Sequence, residues 1–198
     1  NDLINGNISE SNEINSSKKP IIIIGESALK SDTARDVLNL SKKLLKKLNK
    51  LDGLNILHQS ASNVGSLKLG LQSEDLKKVY SSEVLYLLNA DEVEIKKSGK
   101  QFIIYQGTHG GENSDIADVI LPSAAYSEKD GTYINLEGRS QRAFKASYPP
   151  GLAKEDWEIF DLVLLSFGNT STFKSLDNLR EKLFDAYPAL GQYDIVPE

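Results

Sequence analysis

A few residues in this chain have the types and spacing that chemistry uses. Gly107-Thr-His109-Gly110-Gly111 follows a short apolar run, and a glycine-rich turn in that place can bring backbone N–H groups onto a phosphate. It matches neither GxGxxG nor the P-loop pattern, and Glu112 and Asp115 follow at once and would repel an anion. A backbone turn that needs glycine is therefore the favoured reading. Glu128, Asn135, Glu137 and Arg139 form a second polar group. Buried polar groups must be paired, so these are expected to satisfy one another and their own loop, with Arg139 in a charge-assisted pair with Glu137 or Glu128. The two histidines, His58 and His109, could share a zinc ion with Asp115 or Asp118. A strand-end histidine making a hydrogen bond is the commoner arrangement, and no metal site is expected. No Gly-x-Ser-x-Gly elbow occurs, and no residue stands out as catalytic.

Composition narrows the chemistry further. The absence of cysteine removes disulfides, thiolate catalysis, zinc fingers and iron–sulfur ligation together. Methionine is also absent, which reads as an expressed fragment or a processed piece of something longer. A net charge of −5 argues against a general nucleic-acid or anionic-membrane binder. No apolar run reaches the roughly 18 residues of a membrane-spanning helix, so direct membrane insertion is not expected.

The elements that must hold these residues follow from periodicity. Residues 1–19 are rich in Asn, Ser, Glu and Lys and read as a linker or disordered arm. Residues 20–198 read as a single α/β domain. Ile21 to Ile24 fit a central parallel strand covered on both faces. Ser31-Asp-Thr33 supplies capping residues for a helix from Ala34 to Leu51, with Lys42, Lys43, Lys46 and Lys47 on its polar face. Those lysines are the solvated side of an amphipathic helix, with docking of an acidic partner as the alternative. Further strands fall at Asn55–His58, Val84–Leu88, Phe102–Tyr105 and Val119–Leu121, the last stopped by Pro122. A loop or short helix is expected over Ser60 to Gly70 and a further short helix over Glu74–Tyr80. The tail is helical, with an apolar stripe of Trp157, Phe160, Val163, Leu164 and Phe167 ended by Gly168, then a last helix from about Ser175 to Ala186 with Leu176, Leu179 and Leu183 inward. Strands alternating with helices give an α/β, Rossmann-like fold, with a largely parallel sheet flanked by helices and a helical C-terminal tail.

The densest stretch of the chain is Ala117-Asp-Val-Ile-Leu-Pro-Ser-Ala-Ala-Tyr126-Ser-Glu128-Lys-Asp-Gly131-Thr-Tyr133-Ile-Asn135-Leu-Glu137-Gly138-Arg139. It resembles the signature of the molybdopterin-type oxidoreductases. Lys19-Pro-Ile-Ile-Ile-Ile-Gly-Glu-Ser-Ala28, Tyr105-Gln-Gly107-Thr-His109-Gly110 and Pro149-Pro-Gly-Leu-Ala153-Lys-Glu155-Asp156-Trp157 narrow the resemblance. They are similar to the large iron–sulfur subunit of the NADH–quinone oxidoreductases of respiratory complex I.

The resemblance implies a C-terminal part of that subunit's molybdopterin-oxidoreductase-like region. The parent complex passes electrons from NADH to quinone through iron–sulfur clusters and translocates protons. Those clusters belong to an N-terminal part of the parent subunit, and no cofactor is expected in this chain. The partners implied are the other subunits of the peripheral arm. The implied location is the cytoplasmic face of a bacterial inner membrane, or the matrix side in a mitochondrion. In molybdenum relatives the positions of Glu128, Asn135, Glu137 and Arg139 lie beside the pterin. The alternative is thus an α/β domain that keeps a molybdopterin or dinucleotide pocket, with Gly107, His109, Gly110, Glu128, Asn135 and Arg139 as remnant-pocket candidates. A free-standing Rossmann-like regulatory domain is a third reading.

Overall fold

β-Branched runs and helical repeats of leucine set the architecture. A computed structural model of the chain describes residues 2–73 and 75–195. It is α/β, with parallel sheets flanked by helices. The chain forms two compact units, one up to Val64 and one from Gly65 onward.

In the first unit, strands β1 (Ile22–Gly25) and β2 (Leu54–Leu57) pair in parallel, Ile22 opposite Leu54 and Gly25 opposite Leu57. Residues 1–19, expected as a linker, carry two short helices, α1 (Asp2–Asn5) and α2 (Ser11–Ser16). They are tied down: Ser11 is buried, and the Lys47 ammonium donates to the Ile4 carbonyl at 2.8 Å. Helix α3 (Ala34–Lys47) follows a 3₁₀ turn at Glu26–Lys30. Its Leu44 and Leu45 are buried, as is Ile24 of β1. Each such side chain contributes roughly 1.5–3 kcal/mol when fully buried.

Three details depart from the sequence reading. The isoleucine strand is covered on one face only, with Ile21 and Ile23 64% and 61% exposed. Helix α3 stops at Lys47 and not Leu51, because Asn49 turns left-handed at φ 55° and Leu51 opens a 3₁₀ turn. Thr33 holds the N-cap position without a capping bond, its hydroxyl lying 3.1 Å from that of Ser31.

The second unit is built on β3 (Val84–Leu88), β4 (Phe102–Gly107) and β5 (Val119–Pro122), all parallel, with β4 central. Leu85, Leu87, Ile103 and Tyr105 alternate onto one face and form the core, with Val79, Ile95 and Ile116 packed against it. Helix α4 (Asn63–Lys68) bridges the two units in sequence. Helix α5 (Leu76–Tyr80) precedes β3 and α6 (Glu112–Asp115) precedes β5. Glu74, the expected start of α5, lies outside the described residues. Helix α7 (Asp156–Ser166) packs on the opposite sheet face, with Phe160 stacked on Tyr86 at a ring separation of 5.6 Å. Of its apolar stripe, Trp157 and Val163 are half-buried while Phe160, Leu164 and Phe167 are exposed, and the fully buried residue is Ile159. The helix is apolar on all sides, so its sequence has no single face for periodicity to find. Gly168, at φ 79°, follows its end. Helix α8 (Leu176–Ala186) starts where the Ser175 hydroxyl accepts from Asn178 N–H, at 3.2 Å.

Strands β6 (Gly131–Ile134) and β7 (Ser140–Ala143) form an antiparallel hairpin, Thr132 opposite Arg142 and Ile134 opposite Ser140. The sequence reading has no strand here. Each arm is four residues long, too short for alternation to rise above its glycine and charge content.

Asp118 staples β4 at its start. Its carboxylate accepts from Ile103 N–H at 2.8 Å and from the Lys97 ammonium at 2.7 Å. The Lys97 and Ile103 hydrogen bonds hold its carboxyl below the usual carboxylate range. A carboxyl lowered in the folded state contributes stability above its unfolded value of about 3.9, and that stability is lost as pH falls through the depressed folded value. Asp118→Asn should therefore lower the urea midpoint at neutral pH. The gap from the parent protein should close in acid; equal midpoints at pH 7 would show that the staple contributes nothing.

Candidate functional site

The glycine turn sits at the C-terminal end of the central strand, where open parallel sheets often bind ligands. Gly107 is buried and pairs in register with Pro122. A side chain there would begin 2.4 Å from the Tyr105 hydroxyl, so the glycine makes room for that ring. The Tyr105 hydroxyl lies between the Asp91 carboxylate and the His109 carbonyl, the latter 2.8 Å away. Burial, then the Asp91 hydrogen bond and charge, push its phenol up to about 12. His109 and Gly110 are exposed, and the His109 ring nitrogen Nδ1 meets the Thr108 hydroxyl at 2.9 Å. Gly111 opens α6, and its N–H donates to the Ser114 hydroxyl at 2.8 Å. Buried Asn113 donates to the carbonyls of Ala90 and Val93 at 2.6 and 2.7 Å. The turn is thus fastened to the end of β3 by side chains, and the carboxylates of Glu112 and Asp115 lie in its short helix.

The second polar group is built into and beside the hairpin. Asn135 organises its loop: Oδ1 accepts from the N–H groups of Glu137 and Arg139 at 3.0 and 2.9 Å, and the backbone N–H of Asn135 donates to the Arg139 carbonyl at 3.0 Å. Gly138, at φ 83°, makes the turn in the left-handed region that side chains avoid. Arg139 pairs with Glu137 at 3.3 Å and donates to the Asp194 carbonyl at 3.3 Å, so of the two expected partners it takes Glu137. Its Nε is buried without a hydrogen bond among the described residues. Glu128 accepts from the N–H of Ala125 at 2.9 Å, closing the turn after β5.

The structure therefore puts Gly107, His109 and Gly110 on the strand-end turn and Asn135 and Arg139 on the hairpin loop, with Glu128 on a turn of its own. The histidines have separate neighbours. His58 Nδ1 is 3.0 Å from the Asn63 amide and 3.7 Å from a Glu26 carboxylate oxygen. Glu26 is itself held below its usual range, chiefly by the N–H of Gln59. Asp118 is occupied by Lys97 and Ile103. Among the described residues no three His, Asp or Glu side chains converge as a metal site would require.

One constellation escapes the sequence reading. Gln106, fully buried in β4, donates to Asp156 Oδ1 at 2.7 Å and accepts from the Tyr86 hydroxyl. Asp156, the first residue of α7, pairs through its other oxygen with Lys129. Burial, then the charge of Asp156, raises the Tyr86 phenol. The available signal was an amide inside the apolar run Phe102-Ile-Ile-Tyr105-Gln106, which must find partners if buried.

Comparison with known proteins identifies the family. The family model for molybdopterin oxidoreductase matches residues 1–164, and the chain belongs to this family. Within it, the chain is 41% identical over 184 residues to the NADH-ubiquinone oxidoreductase 75 kDa subunit of Reclinomonas americana, covering 88% of this chain and 27% of that protein. It is 41% identical over 180 residues to an NADH-quinone oxidoreductase subunit of Rickettsia bellii, covering 89% of this chain and 26% of that one. The mitochondrial NADH-ubiquinone oxidoreductase 78 kDa subunit of Candida albicans is 35% identical over 201 residues, 98% of this chain and 27% of the relative. The chain spans about a quarter of the length of these curated relatives.

Two expectations follow from the geometry. Asn135→Ala strips an acceptor from two loop N–H groups and should cost about 1–3 kcal/mol, and Gly138→Val should cost a similar amount, about 1–3 kcal/mol, through its left-handed backbone; unchanged denaturation midpoints in both would refute this account of the loop. In a spectrophotometric alkaline titration, one phenol should ionise near 12. Because the Tyr86 phenol is raised too, Tyr105→Phe should remove one phenol's share of the late absorbance change, and an undiminished late change would refute the assignment. The stability linked to this phenol is full below its unfolded value of about 10 and is lost as pH rises toward 12.

Proposed function

We propose that this chain is the cluster-free scaffold portion of the large iron–sulfur subunit of a complex I-type NADH–quinone oxidoreductase. The named relatives, similar over nearly all of the chain, support the assignment to that subunit. The scaffold role is carried by one observation: the polar residues of the signature stretch are spent on their own backbone. Asn135 and Glu128 accept from loop N–H groups, and Arg139 is turned to Glu137 and the Asp194 carbonyl.

These residues do not fit a phosphate-bearing pterin. The glycine turn ahead of them carries its own carboxylates, its buried glycine is filled by the Tyr105 ring, Arg139 is paired with Glu137, and Arg142 lies over the Phe144 ring. An anionic cofactor would need free N–H donors or uncompensated cations. With no cysteine to ligate a cluster, the chain's contribution is mechanical: it presents packed surface to other subunits of the peripheral arm while electrons move from NADH to quinone elsewhere in the assembly. No helix among the described residues is long and apolar enough to cross a membrane, in keeping with a place in an arm outside the bilayer, on the bacterial cytoplasmic or mitochondrial matrix side.

The test is elemental analysis of the purified chain for iron, molybdenum and zinc, with pterin fluorescence on the same sample. A tagged copy should also be checked for co-purification with NADH:quinone reductase activity. Substoichiometric metal and pterin with co-purifying activity is the expected result. Stoichiometric molybdenum or pterin would replace the scaffold reading with a working cofactor site, and absence of the tagged chain from the active complex would remove the assignment to it.

A further inference from the structure

Helix α3 has two faces of opposite character. Leu44 and Leu45 are buried on one. On the other, Arg35, Lys42, Lys43, Lys46 and Lys47 are all exposed, and at about 100° per residue they fall within an arc of about 140°. Asp36 is the single carboxylate between Ala34 and Leu51. Among the described residues none of the five cations makes an ion pair, although Lys47 donates to the Ile4 carbonyl. Elsewhere some lysines are ion-paired, Lys97 with Asp118 and Lys129 with Asp156 among them, but no other single helix of the described residues gathers as many cations.

This arrangement works against the helix itself. Lys42 with Lys46, and Lys43 with Lys47, are like charges one turn apart, which destabilise a helix where a glutamate in either place would stabilise it. The helix dipole accounts for the last-turn lysines, Lys46 and Lys47. It does not account for Lys42 and Lys43, and Arg35 sits in the first turn, where a cation is unfavourable. Nor does solubility require the face in a chain whose net charge is already −5. A concentrated, unpaired cationic face in an acidic protein is complementary to a cluster of carboxylates.

We propose that the basic face of α3 is a docking surface for an acidic face of another protein chain. A nucleic acid fits less well, because the face has no aromatic residue to stack a base and a single arginine. A membrane fits less well because the helix already buries its apolar side within its own unit, leaving nothing to insert. Lysines suit contacts that steer and orient an acidic partner, with affinity that depends strongly on salt.

The experiment uses the whole chain and a fluorescein-labelled, glutamate-rich peptide of about 20 residues, followed by anisotropy at about 50 and 200 mM salt. Lys42→Gln, Lys43→Gln and Lys46→Gln together should weaken binding at least about tenfold at low salt, a loss of about 1.4 kcal/mol. Neutralising Lys77, Lys78 and Lys96, which are equally exposed, should change it less than about twofold. Glutamine keeps helix propensity, so the circular dichroism of the triple variant should match the parent. Replacing the same three lysines with glutamate should abolish binding. Equal losses in both triple variants, tighter binding to duplex DNA or to phosphatidylserine vesicles than to the peptide, or salt-dependent self-association of the chain without peptide binding would each overturn the proposal.

Discussion

A single buried amide decides how the larger unit is assembled. Gln106 lies in the central strand with no exposure to water, so both its donor and its acceptor must be met inside the protein. Tyr86 supplies the hydrogen for its oxygen and Asp156 the acceptor for its nitrogen. Asp156 is then held on its other side by Lys129. Two stretches far apart in sequence, β3 and the first turn of α7, must be in place before that amide is satisfied, and the turn after β5 completes the network through Lys129. Because an unmet buried polar group costs more than a made one gains, the network specifies where α7 starts on the sheet more sharply than the apolar surface of α7 could. That helix is greasy all round and has no preferred face of its own. The Phe160 ring on Tyr86 then completes a seat that the polar contacts define.

The hairpin loop follows the same logic at smaller scale. A residue set that looks like a recognition site by composition is consumed in closing a turn. Asn135 does the work of two backbone acceptors, Gly138 supplies a backbone conformation that no side chain tolerates cheaply, and the charges of Glu137 and Arg139 offset each other. Chemistry-bearing residue types are thus an ambiguous signal. Their meaning depends on whether their hydrogen-bonding capacity is spent inward or held outward, and here most of it is spent inward.

Strands that are apolar throughout were legible in the sequence. Val84–Leu88 is recovered to the residue, and the parallel class follows from strands alternating with helices. The helix at Ala34 was legible from its leucine spacing, although its end was not, because Asn49 takes a left-handed turn that many residue pairs could produce. The β6–β7 hairpin was invisible: its strands are short, and what holds them is a long-range clasp and not an alternating face. The buried position of α7, Ile159, is not legible for a related reason, since a helix with apolar residues on every side gives no phase. At the candidate site, the pairing of Arg139 with Glu137 could be anticipated from closeness in sequence. The Gln106 network could not, because Gln106 and Asp156 stand 50 residues apart and only the odd placement of an amide in an apolar run hinted at it.

The hairpin also has an order of events written into it. Ser140 donates its hydroxyl to the Leu190 carbonyl at 2.7 Å, and its own carbonyl accepts from Asp194 N–H at 2.8 Å. The Tyr193 hydroxyl lies 3.2 Å from that of Thr132, and its ring meets Phe184 edge-on. Two strands adjacent in sequence are therefore finished by a segment 50 residues downstream. On a ribosome the parallel sheet can form from residues already made, while the hairpin stays unclasped until synthesis has passed α8. Contacts that close loops this long are slow to form, and until they do, the exposed edges of β6 and β7 are open to pairing with the wrong strand.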